Sequence, residues 1–112
     1  MSGGYKIEAR EVIAKVKDLR ASILTVGPGQ CVPWHHHSEV TDTVFCIEGP
    51  MLVETRSPDE EQILAPGDMT AISPGQPHRV SGVGGDRCKF LIIQGVGDYD
   101  YVPETNDHAS LD

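Results

Sequence analysis

The chain has 112 residues, enough for one domain around one core and too few for two. Its 17 acidic and 9 basic residues leave a formal charge of −8 at pH 7, so its surface repels phosphate backbones and anionic lipid heads; this argues against nucleic acid and membranes as partners. Gly 12 and Pro 8 are a high share and predict many turns between short elements.

Residues 1–19 read as an N-terminal strand or arm; within it, 11–17 fits either an alternating strand or a short helix, and periodicity leaves both open. From residue 20 the pattern becomes regular. Runs rich in Val, Ile, Leu and Thr predict strands at 20–26, 32–37, 41–48, 51–55, 62–64, 69–72, 78–81 and 87–94. Gly- and Pro-bearing segments at 27–29, 48–50, 56–61, 65–68, 73–77 and 81–86 separate them as turns. Within 20–97 every proline but Pro33 occupies a break, as ladder hydrogen bonding requires. The pattern predicts an all-β barrel or sandwich over 20–97. In the tail, 98–112, the early Tyr99, Tyr101 and Val102 predict packing on the barrel or on a neighbour, and the polar end is expected to fray.

No basic start followed by an apolar stretch marks a secretory leader, and the apolar run at 90–93 is far too short to cross a bilayer. A cytoplasmic protein is expected. Cys31, Cys46 and Cys88 are odd in number and contain no CxxC pair, which disfavours a disulfide framework or thiolate zinc site; they are expected to be small buried hydrophobes.

The strongest local feature is Pro33-Trp34-His35-His36-His37. On a strand, side chains at i and i+2 share a face, so His35 and His37 can converge on one ion while His36 faces away. His78 begins a later strand just after a Pro-Gly-Gln-Pro turn, and a closed barrel can bring it opposite the pair. Three neutral imidazoles can hold a first-row divalent ion and leave positions open for water or substrate. A carboxylate from Asp42 or Glu39 could complete the set.

Spacing extends this pattern. The chain resembles the cupin family, whose first motif runs Gly, five residues, His-x-His, three or four residues, Glu, six residues, Gly. Here stand Gly29, five residues, His35-x-His37, four residues, Asp42, six residues and Gly49. The family's second motif runs Gly, five residues, Pro-x-Gly, two residues, His, three residues, Asn. Here stand Gly67, five residues, Ser73-Pro74-Gly75, two residues, His78, three residues and Gly82.

The resemblance implies a single-domain double-stranded β-helix, or jelly-roll, barrel. It places His35, His37 and His78 at the family's ligand positions and Asp42 at its carboxylate position. The implied cofactor is one divalent metal ion among Mn, Fe, Ni, Co, Cu and Zn, and the implied assembly is a homodimer that exchanges an N-terminal strand. Asp42 is one methylene shorter than the family's Glu; direct ligation, ligation through water and a role as base all stay open. Glu39 is the rival, sharing face parity with His35 and His37 if the strand runs straight on. Ser73 for Pro and Gly82 for Asn are read as turn positions, where loop geometry rather than ligation would change. Gly49 and Gly67 are read as turn glycines needing positive φ or close approach.

Parity selects the pocket walls. Val44 and Cys46 share a face with Asp42, Gln76 and Val80 share one with His78, and Phe90, Ile92 and Gln94 share one face of the last strand. Gln94 and Cys46 could touch a ligand, although core packing is the simpler role. Trp34 and Phe45 are expected to pack on the barrel or an interface, and Arg79 to face solvent.

The family hosts oxygenases, isomerases, lyases, cyclases and decarboxylases as well as binding modules, so fold does not choose a reaction. The leading expectation is a metalloenzyme acting on a small organic molecule, by Lewis-acid or Fe-type oxygenase chemistry, with Asp42 as proton carrier if it is not a ligand. The alternative is a non-catalytic small-molecule or metal-binding module.

Overall fold

Apolar and β-branched runs cut by Gly and Pro become strands because each run can bury one face and each break can turn. The computed structural model describes residues 5–104. Among these, ten strands follow in order: β1 Ala9–Val16, β2 Leu19–Val26, β3 Cys31–His36, β4 Thr41–Glu48, β5 Met51–Thr55, β6 Glu60–Leu64, β7 Met69–Ile72, β8 His78–Gly82, β9 Cys88–Gly95 and β10 Val102–Pro103. One 3-10 turn, Val83–Gly85, joins β8 to β9. The frayed end expected of the tail lies outside the described residues.

The strands form two antiparallel five-stranded sheets, ordered β1-β2-β9-β4-β7 and β10-β3-β8-β5-β6. The sheets face each other across a core that includes Val26, Val44, Met51, Val53, Cys88 and Phe90. This is the all-β double-stranded β-helix that the resemblance implies. The strands expected at 41–48, 51–55 and 69–72 appear unchanged, and the others differ by a residue or two at their ends. The open choice at 11–17 resolves as a strand. β1 pairs with the free edge of β2, although all eight of its residues are exposed, so ladder hydrogen bonds rather than burial hold it. Cys46 and Cys88 are buried, whereas Cys31 is only half-buried.

Two details position the site. First, β3 and β8 pair as Val32↔Val80 and then His35↔His78, so β3 spends three residues where β8 spends two. The extra residue is a β-bulge at Pro33-Trp34, where Pro33 offers no ladder N–H. The bulge breaks simple alternation: Val32 and His35 are both buried, and His35 is brought directly opposite His78. Second, register across β2, β9, β4 and β7 sets one row of partners, Arg20, Gln94, Asp42 and Ile72, on the inner face.

Gly82 is not a turn residue. It ends β8, buried, where a Cβ would stand 1.7 Å from the carbonyl oxygen of Asp86. An Asn at this position, as in the family motif, requires the 83–87 connection to run differently. Gly67 has a φ of 95°, as its turn requires, and Gly49 is a close-approach glycine whose Cβ would meet the Cys46 Sγ at 2.7 Å. Gly82→Ala is therefore expected to lower the free energy of unfolding by at least about 2 kcal/mol, read from denaturant melts. Gly67→Ala is expected to cost less, because nothing stands near its Cβ and the penalty is confined to backbone strain.

Candidate metal centre

Four ionisable side chains meet inside the core. His35 lies on β3, His37 just past its end, His78 at the start of β8 and Asp42 on β4 of the facing sheet. Their exposures are 3%, 2%, 2% and 1%. One ligand atom from each lies within 4.8 Å of all the others. The second motif's histidine is thus brought to the first motif's pair by the β3–β8 ladder, and Asp42 closes the group from the opposite sheet.

Each imidazole is oriented by a backbone carbonyl. His35 Nδ1 donates to the Pro33 oxygen at 2.7 Å, His78 Nδ1 to the Gln76 oxygen at 3.0 Å, and His37 Nδ1 to the Asp100 oxygen. A carbonyl can only accept, so each Nδ1 carries hydrogen and Nε2 is the nitrogen left for the centre, presenting a lone pair to a cation or, when protonated, donating to Asp42 as His78 does. The Asp42 Oδ2 lies 2.9 Å from His78 Nε2 and 3.0 Å from His37 Nε2. His37 Nε2 nevertheless makes no hydrogen bond and is buried, because the Asp42 oxygen sits off its donor axis. Gln94 donates from Nε2 to the other Asp42 oxygen at 3.2 Å.

Charge follows from this packing. Burial, reinforced by the nearby His78, pushes the His35 pKa down to about 3 and keeps that ring neutral. Burial also opposes charge on His37, but the Asp42 carboxylate outweighs it and raises His37 above its ordinary 6.5. Asp42 is desolvated too, yet contact with His37 and His78 holds it well below the usual carboxylate range. An anionic oxygen, inward lone pairs and an unpartnered buried Nε2 are a donor set that fits a divalent cation of borderline hardness. The group could hold one metal ion.

The C-terminal segment closes the mouth. Tyr101 stacks on His35 with ring centres 4.5 Å apart, Tyr5 stacks on Tyr101 at 5.5 Å, and Tyr99 lies 5.3 Å from His37. Asp100 is fastened by the Ser38 hydroxyl at 2.6 Å and the Ser38 N–H at 2.8 Å. A cavity of about 20 Å³ remains beside the four residues, room for an ion or a water. Its walls are partly apolar, with Leu24, Val32, Val44, Val80, Phe90 and Ile92, and Arg10 and Gln94 add polar groups.

His36 faces away from the centre, toward Glu104. Glu39 is excluded: β3 ends at His36, so straight-strand parity does not reach position 39, and Glu39 is exposed, accepting the Asp98 N–H at 3.3 Å. Gln94 lines the cavity, whereas Cys46 packs in the core. Arg79 pairs with Glu54 on the outer face, and Trp34 lies under Arg56, its ring centre 3.9 Å from the guanidinium. Sequence reasoning missed the roles of Tyr5, Tyr99, Asp100 and Tyr101 at the mouth. The alternation of Tyr99 and Tyr101 around Asp100 was the available signal.

The cupin domain family matches residues 22–94. An uncharacterized conserved protein with a double-stranded β-helix domain from Klebsiella pneumoniae superposes with a TM-score of 0.72 at 23% identity, over 94% of this chain and 90% of that chain. A cupin-2 domain containing protein from Shewanella frigidimarina gives 0.64 at 24% identity, over 79% and 80%. An oxalate oxidase gives 0.68 at 17% identity, over 77% of this chain and 46% of that chain. At these identities the likeness shows the fold alone. No curated protein matches the chain.

The buried charges set the pH dependence of the metal-free protein. The lowered Asp42 pKa contributes stability that is complete above the unfolded value of 3.8 and is lost as pH falls through the folded value. The raised His37 pKa contributes stability that is complete below 6.5 and is lost as pH rises through the folded value. Burial lowers the His35 pKa to about 3, which costs stability increasingly as pH falls from 6.5 toward that value. The chelator-treated protein should therefore melt highest near pH 6.5, losing stability on the acid side through His35 and on the alkaline side through His37, and Asp42→Asn should flatten the alkaline limb in thermal scans.

Proposed function

The chain belongs to the cupin family, and from that premise we propose that it is a metal-dependent protein acting on a small organic molecule, with one divalent ion held by His35, His37, Asp42 and His78. The observation that carries this reading is the carbonyl clamp on each Nδ1, which turns the other ring nitrogens toward one buried carboxylate, His37 and His78 Nε2 at about 3 Å and a ligand atom of every member within 4.8 Å of the rest. A bound divalent ion would supply Lewis acidity, polarising a ligand oxygen and stabilising negative charge on it.

The chain's own residues define the setting. Asp42, held ionised far below its ordinary range, is suited to ligation and is a weak base at neutral pH. Gln94 fixes the carboxylate plane through its hydrogen bond. The apolar walls and Tyr101 exclude bulk water, which strengthens every electrostatic interaction at the centre. The three cysteines are free thiols, consistent with the reducing cytoplasm. One structural neighbour is an oxalate oxidase, so the fold also carries redox chemistry, and the reaction class is read from experiment. The narrow cavity of about 20 Å³ favours the second reading, a binding module without turnover, should the mouth stay shut.

Protein loaded with Mn, Fe, Co, Ni, Cu or Zn and then desalted is expected to retain about one ion per chain. His37→Ala and His78→Ala should each weaken retention by more than the ten- to hundredfold that loss of an outer partner of a ligand causes. Unchanged metal content in His78→Ala would sink the proposed centre. Oxygen uptake across a panel of small organic acids and carbonyl compounds separates redox from non-redox turnover, and full loading without turnover favours the binding module.

We further infer pairing of two copies through the outer face of the β1-β2-β9-β4-β7 sheet. That face presents Val16, Ile23, Phe45, Met69, Leu91 and Ile93, and charge enters only near one end with Glu11, Glu48 and Lys89. Five strands of up to eight residues span about 600 Å² before side-chain relief is counted, approaching the roughly 800 Å² per partner of a stable interface. Wild-type protein is expected to have twice its 12.1 kDa chain mass by light scattering, and Ile93→Glu to reduce it to the chain mass. A monomeric wild type overturns the assignment.

A further inference from the structure

Beside the centre lies a second, differently built cavity. It has about 50 Å³ of room and is lined by Lys15, Lys17 and Arg20 together with Leu19, Gln94 and Tyr99. Three of the chain's nine basic residues therefore converge on one small space in a protein of net charge −8. Gln94 and Tyr99 also line the metal cavity, so these two side chains are walls common to both.

The register explains the convergence. Lys15 on β1, Arg20 on β2, Gln94 on β9 and Asp42 on β4 are successive partners across the sheet. At the ordinary strand spacing, Arg20 stands two strands, roughly 9–10 Å, from Asp42. The guanidinium lies over the Tyr99 ring at 4.1 Å, and its Nε is buried without a hydrogen-bond partner. Arg79 and Arg87 have carboxylates, Arg10 bonds the Tyr5 hydroxyl, and Arg56 stacks on Trp34. Arg20 has no carboxylate partner among the described residues, although the chain carries 17 acidic groups. A half-buried guanidinium whose buried Nε is unpartnered still has a donor for the anion that its planar fork is shaped to receive.

On the reading that the four-residue centre holds a metal ion, we propose that the ligand is a small dicarboxylate-type organic acid, one end at that centre and a second carboxylate at Arg20, Lys15 and Lys17. Tyr99 is the partition: its ring touches both His37 and Arg20, and its displacement joins the two cavities into one slot with Gln94 in the floor. Lys15 and Lys17 are exposed on the β1–β2 hairpin and attract the anion, while Arg20 supplies the paired donors.

The test uses Co(II)-loaded protein titrated with straight-chain dicarboxylates of three to six carbons, each against the monocarboxylate of equal length. Binding is read calorimetrically and from the Co(II) spectrum. At least one dicarboxylate is expected to bind about tenfold or more tighter than its monocarboxylate partner. Arg20→Ala should bring that ratio near one while leaving the Co(II) spectrum and monocarboxylate affinity unchanged, which also reports intact folding. Lys15→Ala, on the exposed hairpin, should lower the ratio several-fold. A ratio near one in the wild type, or a ratio preserved in Arg20→Ala, overturns the proposal, as does inorganic phosphate displacing the dicarboxylate at equal concentration. If Co(II) does not bind, the metal reading fails separately. The same acids titrated into metal-free protein then decide the cationic subsite by whether binding depends on Arg20.

Discussion

A carboxylate that is 1% exposed stays charged only if its partners replace the water it has lost, and the interior of this protein is organised around that requirement at Asp42. Two imidazoles stand about 3 Å from one of its oxygens and the Gln94 amide bonds the other. The imidazoles are in turn held by carbonyls of Pro33, Gln76 and Asp100. Proton and metal ion compete for the same inward lone pairs, which is why the arrangement is both a stabilising network and a prospective binding site.

The β-bulge at Pro33-Trp34 is what allows it. A regular β3 would carry Val32 and His35 on opposite faces and send the His35 ring out to solvent. The inserted residue resets parity so that hydrophobic core and polar centre occupy the same side of one short strand. Beyond His37 the strand ends, and Ser38 is left to fasten Asp100, whose own carbonyl orients His37. The C-terminal segment is therefore part of the centre as well as its cover.

The two sheets have unlike outer surfaces. On one, Arg79 and Glu54 pair beside a stacked Trp34 and Arg56, as expected of a face in water. On the other, apolar side chains run across the sheet and β1 lies exposed along its whole length. The same sheet carries on its inner face the row from Lys15 to Asp42, so the edge strand that looks dispensable for the core adds a second cation behind Arg20.

Much of this was legible in residue order. Strand runs and breaks announced an all-β fold because a period of two and turn chemistry are local properties, and the spacing of His35, His37, Asp42 and His78 followed the family's two motifs. Other features depended on which strand met which. Parity alone left Glu39 a contender, and only the end of β3 at His36 removed it. Gly82 read as a turn glycine, while its true constraint is the Asp86 carbonyl. Tyr5, Tyr99 and Tyr101 converge from opposite ends of the described chain, and Arg20 stands beside Gln94 through a pairing some seventy residues long. By itself the sequence determined the all-β run of elements from residue 20 on, most of the core and the three histidines of the donor set, since those are set by side-chain chemistry at short range. The tertiary structure alone decided the orientation of each donor, the closure of the mouth and the unpaired charge beside it, because these arise from cross-strand register and from a bulge that no periodicity foretells.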